Sequence, residues 1–319
     1  AYADWADLNR RVLATCRAAG NPRGEAVMLR GLIDVTTWAA GDGTPGAMTR
    51  SLDDATRLLA LFERLGERRG MSDAEVMRAW ALTAAGQHAS AADAAGRALT
   101  WARDSGHVGG RARAHVALAV VCAERRQIGA AVDHLHEALA AARELGNDRY
   151  EATVLQFLGI AHRECGNLDL GERLLGESLD ISRRYRDRYP EALSLIALAR
   201  LYLRRGDPRA RATAETALAL AREYRMPHHV ADALGALGEI ELAAGRRAEA
   251  VDHLRESVAV WRTRGWLSFL AAALTALGRA LADVDPDGAR EALEEARILY
   301  GRLGHADRER ELAGLLDTA

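Results

Sequence analysis

The stretch LQFLGIAHRECGNLDLGERLLGESL, Leu155 to Leu179, sets a His, a Cys and several carboxylates among apolar residues. His162 and Cys165 are three apart, so on a helix both could face one metal ion. Alternatively the stretch is one unit of a repeat and its chemistry is incidental. The surrounding chain decides. The turn residue Gly166 recurs as Gly86, Arg126, Gly206, Gly245 and Asp285, at steps of 39 or 40 residues. On that ruler His162 takes the slot of Cys122, Tyr202, Glu241 and Leu281. A slot with such varied occupants is a packing position, and Glu164, Asp169 and Glu172 read as helix-surface groups.

Within each period the pattern is constant. Leu158-Gly159 leads to Gly171, Leu175, Ser178 and Leu179, and Leu237-Gly238 leads to Ala250, Leu254, Ser257 and Val258. Leu118-Ala119 leads to Ala131, Leu135, Ala138 and Leu139. Leu198-Ala199 and Leu277-Gly278 begin similar sets one residue early, and Ala79 heads the weakest copy, with Ala91, Ala95 and Ala98. Steps of three and four residues mark one face of a helix. Small residues sit where two antiparallel helices cross closely, and large ones fill the groove beside them. Asp207-Pro208 and Asp285-Pro286 read as helix starts, Asp capping N–H groups and Pro suiting the first helical position. All six prolines fall at proposed loops or helix starts.

Composition narrows the function classes. The chain has 319 residues, is 49% hydrophobic and 5% aromatic, and has no apolar run long enough for a membrane span. Three widely spaced cysteines, Cys16, Cys122 and Cys165, suit a reducing cytoplasm. The net charge of −2 argues against non-specific nucleic-acid binding. All 43 basic residues are Arg, a bias that fits a GC-rich, actinobacterial genome. Without lysine there is no Schiff base to pyridoxal phosphate and no P-loop lysine. No HExxH, CxxC or GxSxG spacing occurs. We therefore expect a non-enzymatic protein without cofactor or metal.

Leu-Gly, a small residue twelve on, a large one four further and a small one seven further resembles the tetratricopeptide-repeat (TPR) signature. The likeness covers most of residues 74–300. The period is near 40 rather than 34, so helices or linkers are longer, and the usual aromatics are mostly missing. This variant is similar to the C-terminal TPR regions of STAND-type regulators, above all the AfsR-like Streptomyces antibiotic regulatory proteins. The resemblance implies an all-α, right-handed superhelical solenoid of helical hairpins. It also implies the regulatory part of a cytoplasmic transcriptional regulator, whose DNA-binding and nucleotide-binding parts precede it. The alternative is a free-standing TPR adaptor for a peptide or protein.

The N-terminus carries the same pattern. GNPRGEAVMLRGL (20–32) matches GNDRYEATVLQFL (146–158) at seven positions. Residues 3–19 therefore read as a second helix without its first, as in a fragment that begins mid-repeat. Its apolar face, Trp5, Leu8, Val12 and Cys16, would pack on the next hairpin or join a homodimer. We expect one solenoid over 1–319, with less regular hairpins over 1–73, regular repeats over 74–304 and a capping helix over 305–319.

Remaining motifs are weighed against simpler readings. GDGTPG at 41–46 could cradle phosphate but lacks P-loop context, so a loop is expected. His134 and His136 point to different faces, and His228-His229 follow Pro227 in a turn. SRRYRDRYP at 182–190 could bind phosphate or stack on bases. Its simpler reading is a basic helix end opposing the dipole. In a TPR stack the first helices line the concave face. Counted from each Leu-Gly pair, groove positions fall on Arg113, Gln156, Arg163, Glu164, Arg200, Arg204, Asp232, Glu239 and Arg279. The expected partner is a protein or peptide, the rest of the regulator chain, or a small effector, and not nucleic acid or membrane. An acidic partner would pair with Arg200 and Arg204, whose joint loss should weaken binding and barely change stability.

Overall fold

A helix built on this ruler needs a left-handed residue to end it and small residues to cross its neighbour, and both are found. The computed structural model describes residues 2–34 and 47–318, and among these the secondary structure is sixteen α-helices without a strand. They are α1 (Tyr2–Ala18), α2 (Pro22–Asp34), α3 (Ala47–Leu65), α4 (Arg68–Ala84), α5 (His88–Asp104), α6 (Val108–Glu124), α7 (Ile128–Glu144) and α8 (Asp148–Glu164). There follow α9 (Leu168–Arg184), α10 (Arg188–Arg205), α11 (Arg209–Glu223), α12 (Pro227–Ala243), α13 (Arg247–Arg264), α14 (Leu267–Leu281), α15 (Pro286–Arg302) and α16 (Ala306–Thr318). The 41–46 motif lies outside the described residues. No helix among those described is long and apolar enough to cross a membrane.

The chain folds as two compact units, residues 1–154 and 155–319. Helices α1 to α7 and α9 to α16 each pack on the next, and first helices also meet first helices of the neighbouring hairpin: α4 meets α6, α10 meets α12, and α12 meets α14. The fold is thus an all-α solenoid of hairpins. The long period resides in the helices, because α4 to α9 each span 17 residues, about 25 Å at 1.5 Å per residue. The links between them hold only three residues.

The 40-residue ruler proves to be a doubled 20-residue one. Left-handed residues recur at Gly66, Gly86, Gly106, Arg126, Gly146, Gly166, Arg186, Gly206, Arg225, Gly245 and Gly265. Turns inside hairpins and turns between them close alike. At the end of α9, Arg186 N–H donates to the Arg183 carbonyl (3.1 Å) and Asp187 N–H to the Ser182 carbonyl (2.8 Å). This pair of bonds is the Schellman closure, in which the left-handed position favours glycine. Asp285 departs from the series: its φ is −148°, and its side chain accepts from Gly288 N–H at 3.0 Å as the N-cap of α15.

Three of these turns carry Arg at φ 52–61°. A left-handed L-residue costs about 1–2 kcal/mol, partly offset by the roughly 0.5–1 kcal/mol of chain entropy that glycine loses on folding. Arg186→Gly is therefore expected to stabilise the protein by about 0.5–1 kcal/mol in urea melts. A lower denaturation midpoint would refute the closure argument.

Helix crossings follow the spacing read in the sequence. A Cβ on Gly159 would lie 2.6 Å from Leu175 Cγ, one on Gly238 2.4 Å from Leu254 Cγ, and one on Gly278 2.6 Å from Leu293 Cγ. The glycine admits the buried leucine of the second helix. In the weakest copy Ala79, Ala91, Ala95 and Ala98 are all fully buried, so alanines stand where those copies cross on a glycine and a leucine. Within α9 two glycines differ sharply. A Cβ on Gly171 would sit 3.1 Å from the Gly159 carbonyl and 3.1 Å from Leu201 Cδ1, whereas Gly176 faces open space. Gly171→Leu is expected to cost about 1–3 kcal/mol by overpacking. Gly176→Ala should gain about 0.5–1 kcal/mol from helix propensity. Calorimetric melts of the two variants that moved in the same direction would contradict this.

At the N-terminus the packed face of α1 differs from the one expected. Ala6, Asn9 and Leu13 are buried, Val12 and Cys16 half-buried, and Trp5 and Leu8 exposed. The helix is rotated because small groups meet: Asn9 Oδ1 lies 3.0 Å from where a Cβ on Gly31 of α2 would be. The matched N-terminal motif has a physical cause. Arg17 pairs with Glu25 (3.0 Å), Arg143 with Glu151 (2.8 Å) and Arg183 with Glu191 (3.2 Å). Each is a clip of eight-residue separation across a turn between hairpins. At the other end Leu312 of α16 is buried, and α16 packs on α15.

Candidate functional site

The first helices of the second unit bring six of the nine groove positions together. Arg200 on α10 is the hub. Its Nη1 lies 2.5 Å from Asp232 Oδ1, its Nη2 donates to the Asp232 carbonyl (3.2 Å) and its Nε to Glu239 Oε2 (3.3 Å), both residues on α12. Gly235 makes this possible, since a Cβ there would stand 3.3 Å from Arg200 Nη2. Burial disfavours the charge on Arg200, yet the Asp232 and Glu239 carboxylates outweigh it and hold the guanidinium pKa above its ordinary value. Arg204 donates from Nη1 to the Arg163 carbonyl of α8 (2.7 Å) and lies 3.8 Å from Glu164. Arg163 donates through Nε and Nη2 to Glu164 Oε1, at 3.0 and 2.8 Å. Burial lowers the Arg163 pKa, with Glu164 opposing the shift. This cluster ties α8, α10 and α12 together, so its arginines also brace neighbouring repeats.

The other three positions lie elsewhere. Arg279 pairs with Glu311 of α16 (2.6 Å). Gln156 is only 1% exposed, and its amide nitrogen has no hydrogen-bond partner. It lies inside the helix layer rather than on a groove surface. The occupants of its slot in other repeats, Ile196, Gly235 and Thr275, carried that signal. Arg113, in the first unit, joins a different cluster.

That cluster centres on Asp73 of α4. Its Oδ2 accepts from Arg30 Nη1 of α2 (2.7 Å), and its Oδ1 meets His107 Nε2 (3.3 Å) and the Arg113 guanidinium of α6. Burial pushes the Asp73 carboxyl up, but the His107 hydrogen bond and the Arg113 and Arg30 charges hold it below the usual range. The first turn of α8 brings the Tyr150 phenol to Arg113, and burial raises its pKa. Arg30, Asp73 and His107 were absent from the sequence-derived set. The available clue was that Asp73 and Arg113, of opposite charge, stand one 40-residue period apart.

The histidine motifs resolve as packing. His228 and His229 stand in the first turn of α12, not in a turn before it. His229 packs against the Tyr189 ring at 4.2 Å and His228 against Trp261 at 5.8 Å, both edge to face. Desolvation lowers them to about 3 for His228 and about 4 for His229. His134 meets His115 of α6, Nδ1 to Nδ1 at 3.2 Å. Two imidazoles fall short of the three protein ligands of a zinc site. In the 182–190 stretch, Ser182 and Arg186 shape the Schellman turn. Arg183 and Arg188 both bind Glu191, and Arg188 lies over the Tyr224 ring at 5.6 Å. These are the jobs of a helix end and its link.

Comparison with known proteins agrees with this geometry. The tetratricopeptide-repeat family model matches residues 208–263. Regulatory protein AfsR of Streptomyces griseus is 28% identical over 99% of this chain, which spans 31% of that protein's length. Among solved structures, a Rap protein complexed with competence and sporulation factor superposes with a TM-score of 0.68 at 15% identity, covering 91% of this chain and 77% of that one. A STAND protein with a tetratricopeptide-repeat sensor from Pyrococcus horikoshii gives 0.56 at 16% identity, covering 90% and 42%. At such identities the structural likeness concerns the fold. The chain is a tetratricopeptide-repeat solenoid, similar nearly end to end to about a third of an AfsR regulatory protein.

Proposed function

We propose that this chain is the partner-sensing, non-enzymatic regulatory region of a cytoplasmic bacterial transcriptional regulator. It would bind a peptide, a protein or the remainder of its own regulator and so shift an on/off equilibrium. The near end-to-end similarity to a segment of a regulatory protein carries the reading. The first-helix face of each unit is a proposed binding surface, with Arg113 in the first and Arg163, Glu164, Arg200, Arg204, Asp232, Glu239 and Arg279 in the second. Solenoids of this kind commonly recognise partners on such faces. Hydrogen exchange tests it on the full-length regulator and on this chain alone. Added protection in the full-length protein should gather on α4, α6, α10 and α12. Protection confined to second helices, or none, would overturn the reading.

A further inference from the structure

Donor accounting separates the two charged clusters on the first helices. A guanidinium carries five N–H donors and no acceptor. In the second unit Arg200 engages oxygens through Nε, Nη1 and Nη2 alike, and Arg163 through Nε and Nη2. Arg163, Arg200 and Arg204 face an equal number of carboxylates, Asp232 and Glu239 on Arg200 and Glu164 between Arg163 and Arg204. At Arg163 and Arg200 an incoming anion would have to displace a resident carboxylate.

The first unit is not balanced in this way. Arg30 and Arg113, with His107, converge on the single carboxylate of Asp73. Each arginine reaches it through one terminal nitrogen, and Arg113 Nε finds no acceptor at all. Glu75, two residues along α4, does not help, because Arg78 and Arg97 already hold it. Arg113 Nε is itself buried, but the Arg30 and Arg113 side chains remain 45% and 38% exposed, so spare terminal nitrogens and one surplus positive charge face solvent. Tyr150 stays a neutral phenol beside Arg113. Asp73 fixes both forks in place without exhausting them.

We propose that the Arg30–Arg113 pair is the anion-recognition point of the first-helix face and takes a carboxylate side chain of an acidic peptide segment. This rests on the partner-binding reading above and gives it a chemistry and a place. The entering carboxylate accepts from the free guanidinium nitrogens as a charge-assisted pair, the arrangement in which arginine forks are strongest. Asp73 then acts as an internal competitor, so its charge sets the affinity.

Fluorescence anisotropy with labelled hexaglutamate, at low and at moderate salt, tests this on the whole chain. Arg113→Ala should weaken the probe at least about tenfold, the loss of one good charged contact. Arg113→Lys keeps the charge but loses the fork and should weaken it less. Asp73→Asn should tighten binding several-fold, an effect that a purely structural role for the knot would not give. Arg222→Ala, on a second helix, should leave it unchanged. Circular dichroism checks that each variant is folded, and if Asp73→Asn is not, the two Arg113 variants decide alone. Unaltered binding in Arg113→Ala, or weakening in a folded Asp73→Asn, overturns the proposal. So does a wild-type chain that ignores hexaglutamate at low salt. If binding instead disappears with Arg204→Ala, this site is wrong while the partner-binding reading stands, and the exchange experiment judges that reading separately.

Discussion

Acidification from about pH 7.5 to about pH 5 is expected to remove about 6 kcal/mol of folding stability, about 2 kcal/mol from each of three desolvated histidines. Burial holds His115 and His229 near 4 and His228 near 3 in the folded chain. Around His228 stand Arg264, Trp261 and His229, so a proton there meets positive charge. Asp232 opposes the shift at His229, but that carboxylate is already engaged by Arg200. The folded pKa values lie below the unfolded one, so the unfolded chain takes up protons first. Stability is therefore full above about pH 6.5 and falls as pH drops toward the folded values. Carboxylates held low, such as Asp73, Glu25 and Glu172, act in the same direction only below their own unfolded pKa values near 4. The window between about pH 6.5 and 4.5 thus belongs to the histidines. Replacing His228 by Leu and His229 by Phe should remove about two thirds of the loss. Urea melts at the two pH values decide, and superimposable wild-type curves would rule the effect out.

Arg200→Ala is expected to cost about 2–3 kcal/mol, discounted from the roughly 3–5 kcal/mol of breaking a fully buried pair. The discount reflects a side chain 23% exposed. The loss strands the nearly buried Asp232 carboxylate, one of its backbone acceptors and the Glu239 contact at once. Lysine should not rescue it, because one ammonium cannot span three oxygens on two residues. Arg204→Ala should cost about 0.5 kcal/mol or less, since that side chain is 46% exposed and its carboxylate partner lies 3.8 Å away. Read as sequence, the two arginines look equivalent, four apart on one face. Helix α12 separates them by approaching Arg200. Equal denaturation midpoints for wild type and Arg200→Ala would show that the brace contributes nothing.

What the sequence revealed was whatever a single helix or turn must satisfy by itself. Gly159, Gly238 and Gly278 were legible because close crossing admits few residue types, and Asp285-Pro286 because caps have their own chemistry. The turns between hairpins stayed hidden behind Arg186 and Arg225, since arginine is not read as a left-handed residue. Contacts made between helices were harder to see. His134 was compared with His136 on its own helix, while its partner, His115, stands on another. Asp73 lies one period before Arg113, but its repeat, headed by Ala79, has Arg78 in place of the leucine from which groove positions are counted. Gln156 stands two residues before its leucine, and the small and apolar occupants of that slot, Ile196 and Gly235, point inward.

The clusters on the first helices also give each hairpin an address. At the position directly after each Leu-Gly or Leu-Ala pair, the second unit reads Ile160, Arg200, Glu239 and Arg279 in order. Arg200 meets Glu239 across one repeat boundary. Excising the single period that contains Glu239 would leave every turn and crossing in register, yet it would bring Arg279 to stand beside Arg200. Backbone periodicity alone would tolerate that shortened array, but like charges at the new junction would oppose it. The hairpins are therefore not interchangeable: their order along the stack is specified by the sign of the charge each presents to the next.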